Sequence, residues 1–88
     1  MLNVERTNQF KKDYKLAKKR GKKLVHLESI IANLISEEDL HSRHKPHKLS
    51  GDLAGYYECH VEPDYLLIYE YAQDQVILVR LGTHSDLF

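Results

Sequence analysis

The chain holds 88 residues, 42% hydrophobic and 30% charged, and its thirteen basic side chains balance thirteen acidic ones; this specifies one globular domain, residues 1–88, and excludes a second core or a disordered tail. Cys59 is the only cysteine, which excludes an internal disulfide and a four-cysteine zinc site. No stretch approaches the roughly 20 apolar residues of a membrane helix and no apolar signal segment leads the chain, so a cytoplasmic protein with no membrane partner is expected.

In chain order, Leu2-Asn3-Val4-Glu5-Arg6 alternates apolar and polar residues and predicts a short first strand. Thr7 is placed to cap a helix, since its hydroxyl can accept from a first-turn N–H that has no helical partner. Phe10, Tyr14 and Ala17 then form one apolar stripe among lysines, and Gly21 ends the helix because glycine enters the left-handed C′ conformation without strain. A second helix is expected from about Lys23 to Ser36, burying Leu24, Leu27, Ile31, Leu34 and Ile35, and the short link implies an antiparallel helical hairpin. The polar segment Glu37 to Lys48, with Pro46, reads as a loop.

Three strands follow: Tyr56 to Val61, Tyr65 to Tyr71, and Val76 to Leu81. The turns Glu62-Pro63-Asp64 and Gln73-Asp74 make them an antiparallel meander. The second of these strands is almost wholly apolar, as a strand covered on both faces would be. Helices grouped before strands give an α+β fold, with the helices packed on one face of a single sheet.

The neutral total hides a polarity. Through Ser50 twelve basic residues face six acidic ones, whereas from Gly51 onward Arg80 alone faces seven acids. A basic half suits a polyanion such as RNA or an acidic protein partner, although a solvated lysine face would give the same pattern. A chain this short buries only about 60–65% of the surface its unfolded form exposes. Apolar cover from a partner would therefore matter to it.

Five of the six histidines lie at positions 41, 44, 47, 60 and 84, and His26 falls near the apolar stripe of the second helix, where it reads as structural. The spacing His41-x-x-His44-x-x-His47 raises metal binding, because imidazole is the commonest metal ligand. Pro46 breaks the curvature that such a spacing needs, and no zinc signature of the His-Glu-x-x-His type is present. Solvated loop histidines are the simpler reading, and no metal or cofactor is expected.

Strand periodicity says more. Alternation puts Tyr56, Glu58 and His60 on one face of their strand and Tyr57, Cys59 and Val61 on the other. Unpaired charge is costly to bury, so the Glu58 and His60 face should look away from the helices. Asp64 follows the turn close enough to orient His60 or share its proton, and Arg80, Gly82 and His84 fall at two-residue spacing in the last strand. These groups supply what metal-free RNA cleavage requires. A base takes the 2′-hydroxyl proton, an acid protonates the leaving 5′-oxygen, and a cation stabilises the phosphorane charge.

Three segments carry a resemblance: His47-Lys48-Leu49-Ser50-Gly51, Gly55 through Tyr69 with its His-Val-Glu-Pro-Asp turn, and Arg80-Leu81-Gly82-Thr83-His84-Ser85-Asp86-Leu87-Phe88. In order and spacing they resemble the YafQ-type toxins of the RelE/ParE superfamily, over nearly the whole chain. The resemblance implies a RelE-like fold and a ribosome-dependent, metal-independent mRNA endoribonuclease of a type II toxin–antitoxin system. It implies that His47, His60, Asp64 and His84 are active-site residues, with His84 the proton donor. It also implies that Arg80 is the cation near the scissile phosphate, Phe88 a terminal aromatic that shapes the site, and Glu58 an acidic site residue. Lys11, Lys15, Lys18, Lys19, Lys22 and Lys48 are the expected RNA contacts.

The implied partners are the ribosome, mRNA and a cognate antitoxin of the DinJ/RelB kind. A free monomer and a complex of two toxins with two antitoxins are expected. Tyr57 departs from the pattern, since close relatives carry arginine there. It keeps open a degenerate toxin that only binds its antitoxin. A gyrase-binding member without nuclease activity is the other alternative, against which the histidine set counts.

Overall fold

The computed structural model describes residues 1–88. Its elements are β1 (Asn3–Arg6), α1 (Asn8–Lys19), α2 (Val25–Ile35), β2 (His47–Lys48), β3 (Tyr57–Glu62), β4 (Tyr65–Ala72), β5 (Gln75–Gly82) and α3 (His84–Leu87). Single 3₁₀ turns occur at Ser42–His44 and Gly51–Leu53.

The α+β architecture and the antiparallel β3-β4-β5 meander match the expectation, with Pro63-Asp64 and Gln73-Asp74 as two-residue turns. The sheet is wider than the meander, with five strands in the order β1-β5-β4-β3-β2. The first strand joins it parallel to β5, pairing Val4 with Val76. At the other edge His47 and Lys48, read from sequence as loop, pair antiparallel with Glu58 and Tyr57. Two residues are too few to display an alternation; this strand exists because the edge of β3 offers it hydrogen bonds.

Local signals set the ends of α1. The Thr7 hydroxyl accepts from the Phe10 amide at 2.9 Å and donates to the Val79 carbonyl at 2.8 Å, so the cap also ties the helix to β5. At the other end Gly21 has φ +75°, its N–H bonds to the Lys18 carbonyl, and the Lys22 N–H bonds to the Ala17 carbonyl. That is a Schellman ending, which satisfies carbonyls the helix would otherwise leave open.

The core lies between the helices and one sheet face. Phe10, Ala17, Leu27, Ile30 and Leu34 pack against Cys59, Val61, Leu67, Tyr69, Val76, Leu78 and Leu81. The buried stripe of α2 is centred on Ile30, while Ile31, expected there, is only partly buried. On α1 the deepest polar residue is Asp13, at the centre of the stripe, while Tyr14 is half-buried. Leu66 and Ile68 alternate with Leu67 and Tyr69 along β4 and are buried on the opposite face. This explains the unbroken apolar run of that strand.

The two helices do not close on each other as a tight hairpin. A groove of about 510 Å³ opens between them, floored by Phe10, Tyr14, Leu27 and Ile31 and flanked by Arg6, Lys11, Lys15 and Glu28.

Candidate active site

The site forms on the sheet face that α1 and α2 leave uncovered. Glu58 and His60 are two residues apart on β3, roughly 7 Å along the strand, and point the same way, as the alternation predicts. Cys59 and Val61 point into the core, and Tyr57 follows them: its ring stacks on Tyr69 at 5.5 Å and meets Tyr71 edge-on at 5.2 Å. The register shift in β3 begins only after His60, so the assignment of faces up to that point is undisturbed. Tyr57 is therefore a packing residue, turned away from His60.

Register brings the charged groups together. His47 pairs with Glu58 across β2 and β3, and its Nε2 lies 3.2 Å from Glu58 Oε1. Its other nitrogen, Nδ1, bonds to the Lys45 carbonyl at 2.9 Å. The ring is thus tethered at Nδ1 and has the Glu58 carboxylate beside its other nitrogen. Glu58 was expected on an open face, yet its side chain is only 7% exposed, with the His47 ring beside it.

A second group stands beside it. The His60 and His84 rings are 6.4 Å apart, and His84 Nδ1 lies 3.6 Å from Asp64 Oδ1. His60 is oriented by its Nδ1 contact with the Pro63 carbonyl at 3.2 Å. Asp64 thus faces His84, whereas the sequence reading set it beside His60. Both members of the pair are open to solvent, at 59% and 77% side-chain exposure for His84 and Asp64. The Phe88 ring lies 6.1 Å from His84.

Arg80 lies in register with Ile68 and Glu58, two strand spacings or about 10 Å from Glu58. It is not a free cation: its Nε donates to Asp13 Oδ2 at 2.8 Å. Asp13 also accepts from the Leu81 amide at 3.0 Å and from Gln9 Nε2 at 3.0 Å. β1 has already ended at this level, so the carboxylate takes the place of a neighbouring strand for the Leu81 N–H. Burial alone would raise the Asp13 pKa, but the bonds from Arg80, Leu81 and Gln9 outweigh it and hold the carboxyl below its ordinary value.

His84 is carried by α3, whose position is set by a second ion pair. Arg20, just past α1, grips Asp86 with Nη1 to Oδ2 at 2.7 Å and Nη2 to Oδ1 at 3.1 Å. Asp86 also accepts from the Thr83 amide at 2.9 Å, while the Thr83 hydroxyl accepts from the Asp86 amide at 3.2 Å, a capping box. Hydrogen bonds from Arg20 and Thr83 drive the Asp86 carboxyl far below the usual range. Gly82 makes room for this arrangement, since a Cβ there would meet Asp86 Oδ2 at 2.8 Å and Asp86 Cβ at 2.9 Å. Gly82→Ala is therefore expected to cost about 1–3 kcal/mol by overpacking and to lift His84 away from Asp64. Thermal denaturation and the His84 ring signals in NMR check this.

The remaining candidates separate. The lysines at positions 11, 15, 18, 19, 22 and 48 are all exposed. Three of them lie over aromatic rings: Lys18 over Tyr14, Lys22 over Tyr65 and Lys48 over Tyr57, at 5.0–5.9 Å. His44, read as a solvated loop residue, is buried, with its Nδ1 2.6 Å from the His60 carbonyl. Nowhere do three or more histidine, cysteine, aspartate or glutamate side chains gather so as to hold a metal ion. Burial pushes the Cys59 thiol up to about 12, so it is no nucleophile. Sequence reasoning missed Asp13 and Arg20, although Asp13 had a signal: it lies three residues after Phe10 and four before Ala17, on the buried stripe.

Three imidazoles and two carboxylates thus share one sheet face, with the Arg80 guanidinium alongside, groups of the kind that general acid–base chemistry uses. A family model described as the bacterial toxin YafQ of type II toxin–antitoxin systems matches residues 2–88. The mRNA interferase toxin YafQ of Escherichia coli K12 is 39% identical over 87 residues, covering 98% of this chain and 95% of its own. Among solved structures, a copper-bound mutant toxin from Helicobacter pylori superposes with a TM-score of 0.97 at 35% identity, covering all of both chains. A crystal structure of the E. coli DinJ-YafQ complex gives 0.91 at 38% identity, covering 100% of this chain and 99% of the other. With the family model and these near-full-length relatives in agreement, this chain belongs to the YafQ family of bacterial toxins of type II toxin–antitoxin systems.

Proposed function

We propose that this protein is an mRNA interferase, an endoribonuclease that cuts translated mRNA on the ribosome by general acid–base chemistry. The observation that carries the reading is the His60, Asp64 and His84 group beside the His47 and Glu58 pair, on one open sheet face. One of the pair groups takes the proton of a 2′-hydroxyl. The freed 2′-oxygen attacks the adjacent phosphorus as the bond to the 5′-oxygen breaks, and His84 donates the proton that the leaving oxygen needs. The products are a 2′,3′-cyclic phosphate and a 5′-hydroxyl end. Arg80, held along its Nε edge by Asp13, offers charge to the phosphorane, and Phe88 walls the site beside His84. Each acid or base is worth about 10²–10⁴-fold in rate.

An antitoxin keeps such an enzyme silent. The apolar groove between α1 and α2, with Arg6, Lys11 and Lys15 along it, suits an acidic amphipathic segment and would supply the cover a small core lacks. The DinJ-YafQ complex supports a partner of this kind. A free monomer, a complex of two toxins with two antitoxins and a cytoplasmic location fit the same reading.

Mapping RNA ends after induction tests the activity. New 5′-hydroxyl ends within translated mRNA are expected, disappearing when initiation on that message is blocked. Intact mRNA with a gyrase-dependent DNA damage response would overturn the reading.

A further inference from the structure

Beyond the reacting groups, the molecule has a second cleft that the mechanism does not use. It measures about 500 Å³ and is lined by His26, Arg43, His44, Lys45, His60, Val61, Glu62 and Pro63. His60 joins it to the active site. The cleft forms where the Ser42–His44 turn packs against β3, with the His44 ring anchored through Nδ1 to the His60 carbonyl at 2.6 Å. His26 of α2 closes the far wall, its ring 6.0 Å from that of His44 and inclined by 67°.

Three features mark this as a binding surface. Two exposed cations, Arg43 and Lys45, and three imidazoles line the cleft with a single carboxylate, Glu62. His26 Nδ1 is shielded from solvent and makes no hydrogen bond, although Glu62 Oε1 lies 3.1 Å away; the angle is wrong for one. Lys45 holds a left-handed backbone, φ 44° and ψ 54°, which is uncommon for a residue other than glycine, and its carbonyl is the one that orients His47. The loop that lines the cleft thus also sets a reacting group.

We propose that this cleft is the subsite for the nucleotide next to the scissile phosphate, an inference that rests on the mRNA interferase reading. Arg43 and Lys45 take the neighbouring phosphate, and the His26 and His44 rings offer a surface for the base. A volume of this size suits one nucleotide, and contact through His60 gives the RNA chain a continuous path into the site. Phosphate contacts position the substrate, so the subsite sets how the RNA lies across the reacting groups.

The variants Arg43→Glu and His26→Gln test this. Each is expected to raise the toxin concentration needed for half-maximal cleavage of mRNA on programmed ribosomes, by roughly tenfold for Arg43→Glu. A short 2′-O-methyl RNA, which cannot be cleaved, should move the His26 and His44 ring signals of the wild-type protein in NMR. Inorganic phosphate at equal concentration should not, and the Arg43→Glu variant should lose the response. Unshifted signals with an unchanged half-maximal concentration would overturn the subsite. So would lost antitoxin affinity with normal RNA response, which would assign the cleft to a protein partner. Should the wild type cleave no mRNA at all, the functional reading fails, and the RNA titration still decides the cleft by itself.

Discussion

His84→Ala is expected to lower mRNA cleavage by about 10²–10⁴-fold, the usual contribution of one general acid, and to abolish growth arrest on induction. The fold should survive, because the side chain is largely solvent-exposed and its one close polar contact is Asp64. The capping box that holds α3 uses Thr83 and Asp86 rather than the imidazole. Single-turnover cleavage on programmed ribosomes, with a thermal melt as control, measures both halves of the prediction. Cleavage at the wild-type rate would remove His84 from the mechanism. A melting temperature well below wild type would mean the ring has a structural role that this geometry does not reveal.

The second large effect belongs to a residue on the other side of the sheet edge. Asp13→Ala should destabilise the protein by about 2–3 kcal/mol, since it strands the Leu81 N–H and releases the Arg80 guanidinium. For a domain of this size that is a drop in melting temperature of about 10–20 °C. Activity should fall as well, because Arg80 loses the contact that aims it. The pH dependence has a definite sign. A carboxyl whose folded-state pKa is depressed contributes stability above its unfolded pKa of about 4 and loses it as pH falls through the folded value. Asp13 and Asp86 are both of this kind. Wild-type stability should therefore decline below about pH 4, and the gap between wild type and Asp13→Ala should narrow there. A gap constant from pH 7 to pH 3 would show that the charge of Asp13 is not what holds β5.

Most of the framework was readable along the chain because its signals are local. Thr7 and Gly21 bound α1 through hydrogen bonds and a backbone angle that involve their immediate neighbours. The meander follows from alternation and from two short turns. The misses share a cause. β2 is two residues long and owes its existence to the free edge of β3. The groove between α1 and α2 depends on how far apart the sheet holds them, and no helical period encodes that. His44 looked like a solvated loop residue because the carbonyl that anchors it belongs to His60, sixteen positions away.

The candidate site divides along the same line. Backbone geometry alone decided that Glu58 and His60 share a face of β3 and that Tyr57 lies on the other, because successive side chains of a strand must alternate. Sequence order likewise set Thr83 and Asp86 at the spacing of a capping box. The pairing of charges was decided only in three dimensions. Asp13 with Arg80, Arg20 with Asp86, His47 with Glu58 and Asp64 with His84 are joined by strand register and by where the helices rest on the sheet. An ion pair depends on distance through space, so residues 67 positions apart, as Asp13 and Arg80 are, leave no mark of it in the order of the chain.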